Sequence, residues 1–342
     1  MLAQYEMLFP FESVPKGAKI LIYGAGKDGE HFLRQILITN YCDVLGFVDR
    51  NNMKQYPYLV PVYSMVDALR LTFDYIVISV KNPVDATEIR TSLVQHGVQS
   101  SKIIYKGRRK DVSCINAGLK TEVNYRDFTL NSGERQVGTD LRDIRKDHIY
   151  RYQLAANILN KCQCNVVLDC FCGTGYGTYY IARELQNVVF CGIDASRESI
   201  DFANHYYSAA NTYFSNKVYP FQLPQDTFDF IICFESMEHI ENGLMFVRDL
   251  IKALKKNGYL VLSAPNEDVN PLNITKNKFH YKHYTRNELS SVFSDELAVV
   301  KWYGQNVYNI DGGKVNGLLE EDKMKPLEKT EGQINIFVYK KR

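Results

Sequence analysis

Short apolar runs alternate with amphipathic stretches along this chain, and several of the runs end on glycine or an acid. Ile20–Tyr23 reads as a buried strand, followed by Gly24-Ala25-Gly26-Lys27-Asp28-Gly29 and a helix with apolar Phe32, Leu33, Ile36 and Leu37. Val44–Val48 is the next strand and Asp49 closes it. The interval from Gly29 to Asp49, about twenty residues, fits a ribose-binding acid in a βαβ nucleotide site. Ser64-Met65-Val66-Asp67 predicts a helix start, with Asp in place of the usual capping-box Glu. Tyr75–Val80 reads as a third strand, Pro83–His96 as a helix ended by Gly97, and Lys102–Tyr105 as a short fourth strand. Gly107–Gly118 is polar and basic and reads as a linker, and Lys146–Asn160 as an amphipathic helix. The strand–turn–helix pattern then returns: Val166-Val167-Leu168 ends on Asp169, and Gly173-Thr174-Gly175-Tyr176-Gly177 opens a helix. Asn187–Ile193 is a further strand ending on Asp194, Ser199–Ala210 a helix and Thr212–Ser215 a short strand.

The length of 342 residues suggests two domains, and 45% apolar content supplies a core for each. A formal charge of +2 carries no polyanion footprint, so no nucleic-acid partner is expected. No run of 18 apolar residues predicts a membrane span. The N-terminal stretch has no basic region ahead of its apolar part, so a cytoplasmic protein is expected. Eight cysteines include Cys162-x-Cys164 and Cys170-x-Cys172. This spacing differs from a CxxC zinc knuckle, and the reading is free thiols packed as small hydrophobes.

Asp169-x-x-Cys172-Gly173-x-Gly175-x-Gly177 resembles motif I of the class I S-adenosylmethionine (SAM) methyltransferases. The resemblance implies that the glycine turn lies under the methionine moiety, that Asp169 contacts its amino group, and that Asp194 accepts both ribose hydroxyls. It also assigns Cys172, Thr174, Ala195 and Glu235 to the cofactor site. Asn216 stands where the family often has an acid for the adenine amino group, and an amide would accept that bond without charge assistance. Phe228–Phe234 resembles the family's fourth strand, and Leu250–Ala264 its following helix, Lys-x-Gly turn and fifth strand. Leu297–Trp302 and Ile334–Tyr339 would form its terminal antiparallel pair. In this fold the loop after strand four faces the transferred methyl, so His239 is the candidate general base. Glu238 is its companion, as base, orienting partner or helix N-terminal charge.

Gly133-Glu134-Arg135 followed by His148-x-x-Arg151-Tyr152 resembles the lead-in of a methyltransferase subfamily associated with glycan gene clusters. That places His148 and Tyr152 on the substrate side. The long polar loop Asn266–Tyr284 is expected to serve as a lid or to be disordered, and Thr285-x-x-Glu288 caps the helix after it. The subfamily has His then Glu in this loop. His280 matches the first, and His283 stands where the Glu would be; both are substrate candidates. These histidines with Glu235 and Glu238 could gather a metal ion. No HxH or HxxxH spacing fixes two ligands on one element, so none is expected.

The first 110 residues resemble the small Rossmann-like domains attached to sugar acetyltransferases and other surface-glycan enzymes. The GAGxxG turn, Gly46-Phe47-Val48-Asp49, Pro61-Val62 and Tyr75–Ile78 carry that resemblance. A second mononucleotide half is missing. The expected ligand at Gly24, Gly26, Gly29 and Asp49 is therefore a mononucleotide or nucleotide-sugar, with a ligand-free docking domain or NAD(P) as alternatives. The expected fold is α/β with two Rossmann-like domains, the second a seven-stranded class I methyltransferase sheet with an antiparallel last strand. The expected boundaries are 1–110, a linker and lead-in over 111–144, and 145–342. The function implied is SAM-dependent methyl transfer to a small-molecule or glycan-precursor acceptor, at a hydroxyl of a sugar or nucleotide-sugar in surface-polysaccharide synthesis. The alternative is a non-catalytic protein that senses nucleotides or SAM. A homodimer is one assembly open to the chain, and the sequence itself does not set the oligomeric state. Gly312–Gly332, a charged insertion, receives no role.

Overall fold

Ile20 and Ile22 face one apolar cluster, with Phe32 and Phe47, while Leu21 and Tyr23 face another, with Ile76 and Leu93. This is the two-residue period of a strand buried on both sides. In this computed structural model, which describes residues 7–39, 41–50, 60–107, 136–311 and 314–342, that strand is β1, Lys19–Tyr23. The chain divides into two compact units, Met1–Phe128 and Thr129–Arg342. In the first unit β1 pairs in parallel with β2 (Asp43–Val48) and with β4 (Tyr75–Ile78). β3 (Val62–Tyr63) and β5 (Ile103–Ile104) complete the sheet, in the order β3-β2-β1-β4-β5. Helices Lys27–Thr39, Met65–Ala68 and Pro83–Gln95 connect the strands. Ser64 Oγ accepts from the Asp67 amide at 3.2 Å and also meets the Asp67 carboxylate at 2.6 Å. Ser64 therefore caps the helix, while the Asp67 carboxylate takes the Ser64 hydroxyl rather than the Ser64 amide that a capping box would use.

The second unit carries an eight-stranded sheet. Helix Lys146–Leu159 leads into β6 (Val166–Cys170), helix Tyr176–Ala182, β7 (Val189–Asp194), helix Arg197–Tyr206 and β8 (Thr212–Asn216). β9 (Phe228–Phe234), helix Gly243–Ala253 and β10 (Leu254–Pro265) follow. β11 (Leu297–Gln305), β12 (Tyr308–Asp311), β13 (Lys314–Leu318), β14 (Leu327–Glu328) and β15 (Ile334–Lys341) end the chain. The sheet order is β14-β11-β15-β10-β9-β6-β7-β8, and β12 pairs with β13 as a separate hairpin. β15 runs antiparallel between β10 and β11, as expected for the last of seven strands. The eighth, β14, is an antiparallel edge strand from the Gly312–Gly332 segment.

Two boundaries shift for local reasons. The helix expected from Ser199 begins at Arg197 because Ser196 Oγ accepts from the Ser199 amide at 3.2 Å. It ends at Tyr206, short of Ala210, because the Ala209 amide turns to Thr212 Oγ1 at 2.7 Å. The segments 108–118 and 131–135, with the Gly133-Glu134-Arg135 part of the lead-in, lie outside the described residues. Among the described residues no helix is long and apolar enough to cross a membrane.

Candidate functional site

From β6 the chain steps outward through β7 and β8, then returns to the other side of β6 as β9 and β10. The strand order reverses between β6 and β9, and in an open parallel sheet the crevice at the carboxyl ends of such a pair receives the ligand. Asp169 near the end of β6, Asp194 at the end of β7 and Glu235 just past β9 all stand at that edge.

The glycine turn joins these acids. Asp194 Oδ2 accepts from the Gly173 amide at 2.9 Å, and Oδ1 from the Ser196 amide at 2.8 Å. Gly173 has φ +57° and open space where a Cβ would stand, so the backbone there can lie against a ligand. The other two glycines serve packing. At Gly175 a Cβ would lie 2.5 Å from the Ala203 Cβ, and at Gly177 it would lie 2.0 Å from the Tyr152 ring. Gly177, assigned from the sequence to the cofactor, makes room for the Tyr152 ring. Tyr152 is buried and donates its hydroxyl to Asp169 Oδ2 at 3.1 Å, and Thr178 donates to the same oxygen at 2.6 Å. Burial raises the Asp169 carboxyl to about 7, against the lowering effect of these two bonds.

Cys172, assigned from the sequence to the cofactor site, has a buried side chain. Its thiol packs with Ile200, Ala203 and Phe214 in a buried cluster, so only its backbone can face the crevice. The Asn216 amide nitrogen donates to the Asp194 and Ala195 carbonyls, both at 2.9 Å, and latches the loop after β7. A bond to adenine would fall to its Oδ1. Thr174 Oγ1 donates to the Gln136 carbonyl at 3.0 Å, which ties the lead-in to the glycine turn.

His148 is turned into the protein. Its Nε2 accepts from Arg145 Nη2 at 3.2 Å, so Nδ1 carries the hydrogen toward Tyr176 Oη at 2.9 Å. Burial, then the Arg151 charge, lowers its pKa to about 3. The ring, expected on the substrate side, is bonded on both nitrogens to protein groups. Beside it Arg151 is buried, reaching Asp147 Oδ2 at 3.5 Å and Gln305 Oε1 at 2.7 Å. Asp147 and Gln305 belong to none of the motifs seen in the sequence. Opposite charges four apart, Asp147 and Arg151, on a helix otherwise packed by Tyr152, Ala155 and Leu159, were the available signal.

Glu235 sits at φ +45°, its amide donating to Ser263 Oγ at 3.0 Å and its Oε1 accepting from the same hydroxyl at 2.7 Å. Burial raises its pKa. The 3-10 turn Met237–His239 follows. Glu238 is buried, and His239 Nε2 lies 3.9 Å from its Oε1. The Asn266–Tyr284 loop is tied down: Tyr281 N donates to the Glu238 carbonyl at 2.7 Å, and Asn266 Nδ2 to the Gly332 carbonyl at 2.9 Å. It contains the short helix Leu272–Thr275 and sets His280 edge-on to His239, ring centroids 4.6 Å apart. Burial lowers the His280 pKa to about 3. His283, 3% exposed, holds His280 through Nε2 at 2.8 Å and is itself held by the Asn270 carbonyl at 2.6 Å. It thereby fixes the orientation of the His280 ring. The described cysteines are free thiols.

In the first unit, Asp49 Oδ2 accepts from the Ala25 amide at 2.8 Å. A Cβ on Gly29 would lie 1.9 Å from the Gly24 carbonyl oxygen, while Gly26 faces open space.

Residues 144–303 match the model of a methyltransferase domain family, and residues 16–104 match one described as C2185-like, N-terminal. A Mycobacterium tuberculosis (strain H37Rv) protein named "Probable S-adenosylmethionine-dependent methyltransferase" is 28% identical over 167 residues, 48% of this chain and 59% of its own. The ubiquinone biosynthesis O-methyltransferase of Rickettsia typhi is 30% identical over 139 residues, 39% of this chain and 54% of its own. The chain thus spans little more than half the length of these curated relatives. Among solved structures, the N-methyltransferase NodS from Bradyrhizobium japonicum, in complex with S-adenosylhomocysteine, is similar at 14% identity and a TM-score of 0.41, over 57% of this chain and 87% of NodS. Residues 144–303 are a class I S-adenosylmethionine-dependent methyltransferase domain.

Proposed function

We propose that this protein transfers the methyl group of SAM to a hydroxyl of a small-molecule acceptor, in the first instance a sugar or nucleotide-sugar used in surface-polysaccharide synthesis. One observation carries the reading. The open glycine turn with Asp169 and Asp194 meets, at the same sheet edge, a second group made of Glu235, Glu238, His239 and His280. The first half suits a cationic amino acid and a ribose, through Asp169, Gly173, Ala195 and Asp194. The second suits an acceptor. Methyl transfer from a sulfonium is an in-line displacement, so aligning donor and acceptor lowers the barrier most, by on the order of 7–11 kcal/mol. A base adds roughly 10²- to 10⁴-fold. His239 Nε2 is the base in this reading, since His239 stands on the turn just past β9 at this edge of the sheet. Similarity to an O-methyltransferase supports oxygen as the methylated atom.

In the same reading residues 1–110 bind a nucleotide or nucleotide-sugar at Gly24, Gly26, Gly29 and Asp49. Residues 111–144 are linker and lead-in, 145–342 the methyltransferase part, and two copies form a homodimer. The open face of Gly26 and the Asp49 clamp on the turn support the nucleotide site. Calorimetry with SAM and with UDP-sugars, followed by transfer of labelled methyl to a panel of sugar acceptors, tests both parts. His239→Ala should lower turnover at least ~10²-fold with SAM affinity nearly unchanged. SAM binding without transfer to any acceptor would favour a sensing protein.

A further inference from the structure

Glu238, His239 and His280 bring one carboxylate oxygen and two imidazole nitrogens within 4.8 Å of one another. The grouping is tertiary. Glu238 and His239 follow β9, while His280 arrives on the loop after β10, held by the Tyr281 amide on the Glu238 carbonyl. The surrounding hydrogen bonds set the ring tautomers. His239 Nδ1 faces the Phe279 carbonyl at 3.2 Å, so it carries the hydrogen and Nε2 carries the lone pair toward Glu238. His283 Nδ1 faces the Asn270 carbonyl, so its Nε2 accepts from His280 Nδ1. The His280 lone pair is then on Nε2, where Asn277 Nδ2 donates at 3.1 Å. Metal-ligating histidines have this arrangement, the remote nitrogen donating to a fixed acceptor and the near one left for the ion.

We propose that Glu238, His239 and His280 bind a divalent transition-metal ion, of the zinc, cobalt or manganese kind, with the ion replacing Asn277 at His280. Bonds of about 2.0–2.2 Å draw the three atoms closer than they stand here. Two nitrogen ligands select against magnesium and calcium, which take oxygen. Three protein ligands leave positions for an acceptor, as in catalytic rather than structural sites. What the ion does rests on the methyltransferase reading. The acceptor hydroxyl binds an open position and loses its proton to water, because the ion lowers its pKa. Its oxygen then forms the bond to the methyl carbon as the sulfur–methyl bond breaks, and the electron pair of that bond stays on the sulfur of S-adenosylhomocysteine. Acceptors with two adjacent oxygens fit two open positions. His239 then holds the ion and not the proton.

The test uses tag-free, full-length protein stripped by a chelator and titrated with Co²⁺ alone, read by metal analysis and by visible absorption. We expect one ion per chain with a spectrum of nitrogen and oxygen ligation. His280→Ala and Glu238→Gln should each weaken uptake at least ~10-fold, and His283→Ala should weaken it similarly through the unheld His280 ring. If Glu238→Gln does not fold, the loop variant His280→Ala decides. Stripped protein that takes up no Co²⁺, or His280→Ala that binds it like the parent, overturns the proposal. SAM affinity of the same stripped protein keeps the two readings apart. Binding of SAM without Co²⁺ removes the ion and leaves methyl transfer, while Co²⁺ uptake without SAM binding does the reverse. Turnover that survives chelation returns His239 to the role of base.

Discussion

The two glycine turns of this chain use one device to different ends. In each, the acid closing the second strand accepts a backbone amide from the turn after the first: Asp49 from Ala25, and Asp194 from Gly173. In each, one glycine faces open space, Gly26 or Gly173, and another makes room for a neighbour, Gly29 or Gly177. What separates them is the first strand. β1 ends on Tyr23, beside Gly24 and the Ser79 hydroxyl, whereas β6 carries Asp169, buried under Tyr152 and Thr178. The lesson is that an acid at the end of the second strand is first a clamp on the turn. A ribose-binding role is an addition to it. The first-strand acid and the far side of the crevice, beyond β9, distinguish a site for a charged cofactor.

The packing glycines offer the largest effect by which to break this comparison. Gly177→Ala drives a Cβ into the buried Tyr152 ring, and Gly29→Ala drives one into a backbone carbonyl. Each should cost about 1–3 kcal/mol by denaturant titration. Gly26→Ala should stay within ~0.5 kcal/mol, since nothing lies within 4 Å of its Cβ position. Equal losses at Gly26 and Gly177 would mean that open and packing glycines have been confused.

The paired clamps come next. Both Asp194 oxygens accept backbone amides, so Asn there sets an NH₂ against one of those hydrogens, whereas Asp49 offers one oxygen to the Ala25 amide and Asn can keep that bond. Asp194→Asn should weaken SAM about 10-fold, or about 1.4 kcal/mol, while Asp49→Asn leaves SAM affinity as it was. If both variants bind SAM like the parent, the clamp and the cofactor are unconnected.

The smallest effect is the pH dependence set by Asp169. Its carboxyl is raised to about 7 by burial, so the folded, ligand-free protein holds a proton that the unfolded chain releases at lower pH. Stability of the ligand-free protein should therefore fall as pH rises from the ordinary carboxylate range to about 7. A SAM ammonium beside Asp169 favours the carboxylate. SAM binding should release a proton below about pH 7 and tighten with rising pH, by less than ~10-fold per unit. Calorimetry in buffers of different ionisation enthalpy reads this release directly, and zero release would take Asp169 away from the amino group.

The strands were legible because Ile20–Tyr23, Val44–Val48, Val166–Leu168 and Phe228–Phe234 are apolar runs bounded by glycine or acid. Backbone hydrogen bonding and burial act on such runs locally. The glycine turns, the acids after the strands and the helix N-caps at Ser64 and Thr285 were legible for the same reason, since each is a rule about neighbours in the chain. Tertiary structure alone decided which side chains those residues meet. No spacing reveals that Tyr152 fills the space over Gly177, that Cys172 faces the core, or that His148 turns toward Arg145 and Tyr176. Nor does any spacing join Glu238 and His239 to His280, some forty positions on. The sheet brings the ends of β9 and β10 side by side, and a carboxylate and two imidazoles meet there because of strand order, which depends on packing over the whole sheet.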